Sequence, residues 1–158
     1  MDSSKNKTNS PFKSTTADRR RRVFEAAIND LAAKGFNAAN INTIAKSAGI
    51  SIGSMYSYFE SKEDLFLAVM DHCLEMMYKL LSGVDTTKGV VNAFEEMLRL
   101  ARESATENPQ MHQIYLDCSS QSLRNLSERI SDHAEAVTVR LYREILSYDK
   151  AIGRVRKD

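Results

Sequence analysis

Apolar positions recur at helical spacing along most of the 158-residue chain. Val23, Phe24, Ala27, Ile28 and Leu31 form one helical stripe. That helix is expected to begin near Thr16 to Asp18 and run to Lys34, with Gly35 ending it. Ile41, Ile44, Ala45 and Ala48 give a short second helix behind the cap residue Asn40. Its small alanines permit a close helix crossing. Gly49 suits a left-handed position at its end. Ser51 can cap a third helix, about two turns long by its span from Ile52 to Phe59, with Met55 and Phe59 facing inward. Ser61 and Asp64 form a capping-box-like pair at the start of a long helix. Its stripe is Leu65, Phe66, Val69, Met70, Cys73, Leu74, Met77 and Leu81.

After a loop marked by Ser82-Gly83 and Asp85-Thr86-Thr87, a fifth helix is expected over about Lys88 to Asn108. Val91, Phe94, Leu98 and Ala101 or Ala105 would face inward. Pro109 suits the first turn of a sixth helix carrying Met111, Ile114, Tyr115 and Cys118. A seventh, from near Ser122 to Lys150, carries Leu126, Ile130, Ala134, Val137, Leu141 and Ile145. Alternating apolar and polar runs bounded by turn residues are absent, which argues against a β fold. The expectation is an all-α chain in three parts. Residues 1–15, polar and broken by Pro11, read as a disordered tail; 16–62 form a three-helix helix-turn-helix head; 63–158 form a helical-bundle body.

Composition changes this picture only when divided. The net charge of +1 hides an asymmetry: residues 1–62 carry ten Lys/Arg against five Asp/Glu, and the rest carry twelve against sixteen. The basic half is the helix-turn-helix half. Arg19 to Arg22 stand at a helix start, where positive charge opposes the helix dipole. With no structural return visible in the sequence, an anionic partner such as DNA phosphate is a candidate reason for them.

Enzyme chemistry finds no support. His72, His112 and His133 are far apart, and no pair has metal-ligand spacing. There is no GxGxxG, P-loop or GxSxG run. Asp117 and Cys118 diverge by about 100° on a helix, so they form no catalytic pair with His112. No metal and no cofactor is expected. Cys73 and Cys118 lie in apolar helical contexts and read as reduced, buried thiols of a cytoplasmic protein. No apolar run approaches the roughly 18 residues of a membrane span, and no secretory signal is visible.

Two helices joined by a glycine-containing turn can place the second in the DNA major groove. Ile52, Gly53 and Ser54 sit at the start of that second helix, where base edges are met. Tyr56 and Tyr58 cannot both be buried with Met55 and Phe59, so at least one hydroxyl should point outward, toward phosphate, as should Lys62.

From about Arg20 to Met70 the chain resembles the N-terminal domain of TetR-family transcriptional regulators. The matching residues are Ile28, Leu31, Ala32 and Gly35-Phe36; Ile41, Ile44-Ala45 and Ala48-Gly49-Ile50-Ser51; Met55-Tyr56, Tyr58-Phe59 and Ser61-Lys62-Glu63-Asp64-Leu65. The resemblance implies a DNA-binding head on a ligand-binding, dimerising helical body. It implies that Asn40 and Thr43 lie near phosphates, that Ser51, Ile52, Gly53 and Ser54 face bases, and that Tyr56, Tyr58 and Lys62 clamp the DNA backbone.

It further implies a homodimer on a double-stranded, palindromic operator, most often a repressor, released by a small-molecule effector. For the effector pocket the apolar candidates are Phe94, Met97, Met111, Tyr115 and Cys118, a set that leans toward a hydrophobic ligand. Members typically continue past a Gly-Arg-Val-Arg-like segment into two further long helices that make the dimer interface. Here the sequence stops at Asp158, so truncation or a different dimer contact is expected. The rival reading is a helical protein-interaction module that keeps the head without operator-specific regulation.

Overall fold

The computed structural model describes residues 10–117 and 124–154, and every regular element among them is helical. The order is α1 (Ser10–Lys13), α2 (Ala17–Ala38), α3 (Ile41–Ser47), α4 (Ile52–Tyr58), α5 (Lys62–Ser82), a 3-10 turn (Thr86–Lys88), α6 (Val90–Glu107), α7 (Pro109–Asp117) and α8 (Arg124–Ala151). The all-α expectation holds, and the helix bounds agree to within a few residues.

Side-chain caps begin the head's helices. Thr16, Asn40, Ser51 and Ser61 each accept from backbone N–H groups of the following turn, those of Arg19, Asn42 and Thr43, Ser54, and Asp64 respectively. Each bond satisfies a donor that the helix itself leaves unpaired. Gly35 takes φ 70° and kinks the last turn of α2, so the regular helix stops where its glycine was expected to stop it.

One apolar cluster gathers the buried residues of α1 to α4 and of the first half of α5 together with Ile114 of α7 and Ile130 of α8. The head core therefore continues into the body. A second cluster, Tyr78, Ala93, Met97, Leu141 and Ile145, holds α5, α6 and α8 together.

Three expectations are corrected. The disorder assigned to residues 1–15 does not hold from Ser10 onward. Phe12 is 2% exposed and anchors a helical turn, because its ring finds an aromatic pocket between α2 and α4. Residues 1–9 lie outside the described residues.

Second, the arginine run has a structural return. Arg19 reaches Tyr58, Arg20 the carbonyls of Lys13 and Thr15, Arg21 the carboxylates of Asp18 and Glu25, and Arg22 both Asp18 and the carbonyl of Ala48. Their positions do not by themselves call for an outside anion.

Third, α6 turns a different face inward. Ala93 and Met97 are buried, whereas Val91 and Leu98 are 67% and 71% exposed. Apolar residues lie on two adjoining faces of this helix. The face with the small Ala93 is the one that allows close approach to α5 and α8.

Candidate nucleic-acid interface

The geometry rests on the turn between α3 and α4. Gly49 has φ 66°, a conformation that costs a residue with a Cβ. Its N–H donates to Lys46 O at 3.1 Å, and the Ile50 N–H donates to Ala45 O at 3.1 Å, closing the end of α3. Arg22 Nη1, from α2, donates to Ala48 O at 2.9 Å. Ile44, Ala45 and Ala48 face the core, and Met55 and Phe59 hold α4 against it.

The opposite face of α4 is open. Ser51, Ile52, Gly53, Tyr56 and Ser57 are exposed. Ser54 is half-buried, its Oγ 2.9 Å from Ser51 Oγ. A Cβ built on Gly53 would meet nothing within 4 Å, so packing within the chain does not demand glycine there. Asn42, Thr43, Lys46, Ile50, Ser51 and Ile52 line a shallow cleft of about 480 Å³ beside this face.

Asn40 and Thr43 are exposed at the start of α3. The Asn40 side-chain oxygen is taken by the N–H groups of Asn42 and Thr43 at 2.8 and 3.3 Å, while its amide nitrogen takes no part in the cap. Tyr56 is 50% exposed, with its ring on the outer face. Tyr58 is not its twin. It is 8% exposed, and Arg19 Nη1 donates to its hydroxyl at 3.2 Å, with Thr15 Oγ1 3.5 Å away. The bonds with Thr15 and Arg19 draw the Tyr58 hydroxyl pKa below its ordinary value. Only Tyr56 presents an outward ring.

Lys62 is half-buried. Its Nζ donates to Asn37 O at 3.0 Å and lies 4.6 Å from the Phe36 ring centroid. It ties the start of α5 to the end of α2 rather than extending freely. The sequence reading missed Asn42 and Lys46, which line the cleft beside Thr43. Their signal is their phase on α3, outside the face that Ile41, Ile44 and Ala45 bury.

Of the five body candidates, the three among the described residues, Phe94, Met97 and Met111, are not gathered in one place. Met97 is buried in the second cluster, and the Phe94 ring faces Tyr142 of α8 at 5.6 Å. Met111 lines a cleft of about 440 Å³ between α5, α6 and α7, with Met76, Met77, Leu80 and Leu100 as its other apolar walls. Cys118 and the side chain of Tyr115 lie outside the described residues, and Cys73 is half-buried. Among the described residues no group of three or more His, Cys, Asp or Glu could hold a metal ion. None of their helices is long and apolar enough to cross a membrane.

A third, larger cleft of about 690 Å³ follows the seam between head and body, with walls from α2, α5 and the α6–α7 corner. Phe24 and His72, both in its wall, stack on each other with ring centroids 4.2 Å apart and planes 5° from parallel. Burial, with the Lys79 charge as the lesser cause, pushes the His72 pKa down.

Residues 23–69 match the family model of bacterial regulatory proteins, tetR family. The chain is 31% identical over 101 residues to an uncharacterised HTH-type transcriptional regulator, YdgC, of Bacillus subtilis (strain 168), a match covering 58% of this chain and 52% of that protein. It is 27% identical over 97 residues to the HTH-type transcriptional regulator RutR of Escherichia coli (strain K12), covering 61% and 46%. The chain thus spans about half the length of these curated relatives.

Among solved structures, it superposes on a TetR-family transcription regulator from Shewanella sp. PV-4 with a TM-score of 0.66 at 19% identity, covering 87% of this chain and 72% of that one. The fatty acid degradation regulator FadR of Bacillus halodurans gives the same TM-score and identity, covering 87% and 74%. At such identity these two similarities concern the fold alone.

Proposed function

We propose that this chain, whose N-terminal head belongs to the TetR family of bacterial regulatory proteins, is a DNA-binding transcriptional regulator that reads operator DNA with α4. The observation that carries the reading is the outer face of α4. A two-turn helix held by a tight glycine turn exposes Ser51, Ile52, Gly53 and Tyr56 together. Ile52 is an apolar side chain left in water, suited to contact a thymine methyl in the major groove. Gly53 gives the helix a bare spot where a base edge or sugar can come close.

Base reading in this proposal falls to Ser51, Ile52, Gly53 and Ser54. Phosphate contact falls to Asn40, Thr43 and Tyr56, joined by Lys46. Lys62 and Tyr58 support the interface from behind, since their polar atoms already have partners inside the head. The unit is residues 10–62, with residues 63–158 as the effector-binding and dimerising body.

The chain acts as a homodimer on a palindromic site, because one short helix rarely supplies operator affinity alone. It is a repressor released when a hydrophobic small molecule occupies the Met-rich cleft. The adaptable walls Met76, Met77 and Met111 support that ligand class. Release requires the effector to prefer the conformation whose heads are mis-spaced. Ile114 of α7, buried in the head's own cluster, offers a physical link from cleft to head.

A gel shift with the DNA flanking the chain's own gene, in excess nonspecific competitor and with oligomeric state measured alongside, tests this. A shifted band that survives competitor is expected. Binding no tighter than to competitor DNA would sink the reading.

A further inference from the structure

We propose that Phe12, on the short helix α1, is a positioning residue for DNA recognition: it locks the C-terminal end of α4 against α2 and so fixes the tilt at which α4 meets the bases. The inference rests on the DNA-reading role proposed above and adds to it a residue outside the matched stretch, which begins at residue 23.

The geometry is a clasp. The Phe12 ring stands edge-on to Phe24 of α2 at 5.2 Å and tilted against Tyr58 and Phe59 of α4's end at 5.3 and 4.8 Å. One side chain therefore touches both helices whose relation sets the head. Polar bonds hold the clasp shut. Thr15 N–H donates to Phe12 O at 3.1 Å, and Ser14 Oγ donates to Pro11 O at 2.9 Å. Arg20 Nη1 donates to Lys13 O at 2.8 Å and to Thr15 O, fastening the turn to α2. Arg19 and Thr15 then meet the Tyr58 hydroxyl from the same side.

Helix α4 depends on such support. Seven residues make no stable helix alone, and its buried residues are only Met55 and Tyr58, with Phe59 as its cap. The Tyr58 end is six residues from Ile52, about 9 Å along the axis. A tilt of about 10° at the clasped end moves the base-facing end by about 1.5 Å. Base-edge hydrogen bonds tolerate about 0.5 Å. Phosphate contacts tolerate that tilt: Asn40 and Thr43 sit on a separately capped helix, and Tyr56, two residues from the clasped end, moves by only about 0.5 Å. The clasp should therefore govern discrimination between sequences far more than affinity for DNA in general.

The test compares the 158-residue chain with its Phe12→Ala and Phe12→Leu variants. The probes are a duplex selected from a randomised pool by the wild-type chain and a random-sequence duplex of equal length. Folded fraction is measured by thermal melting monitored by circular dichroism, and binding is measured well below each midpoint. The expected result for Phe12→Ala is a roughly tenfold loss of affinity for the selected duplex with unchanged affinity for the random one. A merely structural role would scale both affinities by the folded fraction and leave their ratio intact. That result overturns the inference. If Phe12→Ala does not fold, Phe12→Leu, which keeps bulk and loses the ring contacts, decides by the same ratio. A wild-type chain with no preference for any selected duplex removes the DNA-reading role itself, and the clasp's role with it.

Discussion

Arg22 and Gly49 compete for the same space. Arg22 Nη1 donates to Ala48 O, and a Cβ on Gly49 would stand 2.9 Å from that nitrogen. The guanidinium is both the brace of the turn between α3 and α4 and the obstacle to any side chain there.

Gly49→Ala is therefore expected to destabilise the chain by about 1–2 kcal/mol, mostly from the left-handed backbone. Arg22→Ala should cost about 1.5–3 kcal/mol, the worth of its charge-assisted hydrogen bond to Ala48 O, with the exposed pair to Asp18 adding little. The double variant should cost less than the two singles added, because the clash is absent once Arg22 is gone. Chemical denaturation of the four proteins gives the coupling. Strict additivity would show that Arg22 moves aside without loss.

The outer face of α4 divides into positions with different consequences. Tyr56→Ala should weaken binding to all duplexes alike, consistent with a phosphate contact. Ser54→Ala should change which sequences are selected from a random pool. Lys46→Ala should weaken binding uniformly and reduce the dependence on salt by about one released counterion. Titrations over a salt series separate these effects. A Ser54 variant with the wild-type selection profile would leave base reading to Ser51, Ile52 and Gly53.

Most of the head was legible from sequence because its signals are local. Asn40, Gly49, Ser51 and Ser61 announce helix ends through chemistry that acts within four residues. The residues that escaped depend on distant partners. Phe12 is one aromatic in a polar tail, and only the fold brings Phe24 and Phe59 around it. In the arginine run, the partners Tyr58 of Arg19 and Ala48 of Arg22 lie 39 and 26 residues away, whereas Arg20 and Arg21 find theirs within seven residues, where the sequence already held Asp18 and Glu25 at helical spacing. In the body, α6 offered two adjoining apolar faces, and the choice was made by α5 and α8. For the same reason Met76, Met77, Leu80 and Leu100 could not be collected into one cleft in advance.

A long-range cap in the body shows how far such a partner can lie. Asp149, near the end of α8, is 1% exposed, and its Oδ2 accepts from the Val90 N–H at 2.7 Å. Gly89, the residue before α6, has no side chain to cap it. The Arg154 guanidinium lies 3.6 Å from Oδ1. Asp149→Ala leaves a helix-start donor without its acceptor and should cost about 1–3 kcal/mol. Asp149→Asn keeps an acceptor and should cost less. Denaturant midpoints rank the three. An Asn variant as weak as the Ala one would put the charge, and not the bond, in first place.

Filling the methionine cleft should uncouple effector from DNA. Leu100 lies on its α6 wall. Leu100→Trp is expected to reduce binding of a hydrophobic fluorescent dye at least several-fold, since a rigid indole in place of a wall residue projects between the methionines and reshapes the cleft. Affinity for a selected duplex should stay at the wild-type value. If dye binding survives, the ligand lies elsewhere, and the seam beside Phe24 and His72 is the next place to look.

That seam carries a pH prediction. Burial, then the Lys79 charge, lowers the His72 pKa below its ordinary 6.5 in the folded chain. Between the lowered folded value and 6.5 the unfolded chain holds a proton that the folded one lacks, so stability rises with pH through that window. His72's contribution is complete above about pH 6.5 and is lost as pH falls through the folded value. Because His72 stacks on Phe24, its protonation should also loosen the contact between α2 and α5. His72→Phe keeps a ring against Phe24 and removes the titration. Melting midpoints measured from about pH 7.5 down to about pH 5 should fall more steeply for the wild type than for His72→Phe. Parallel curves would mean that other groups set the acid limb and that His72 titrates alike in both states.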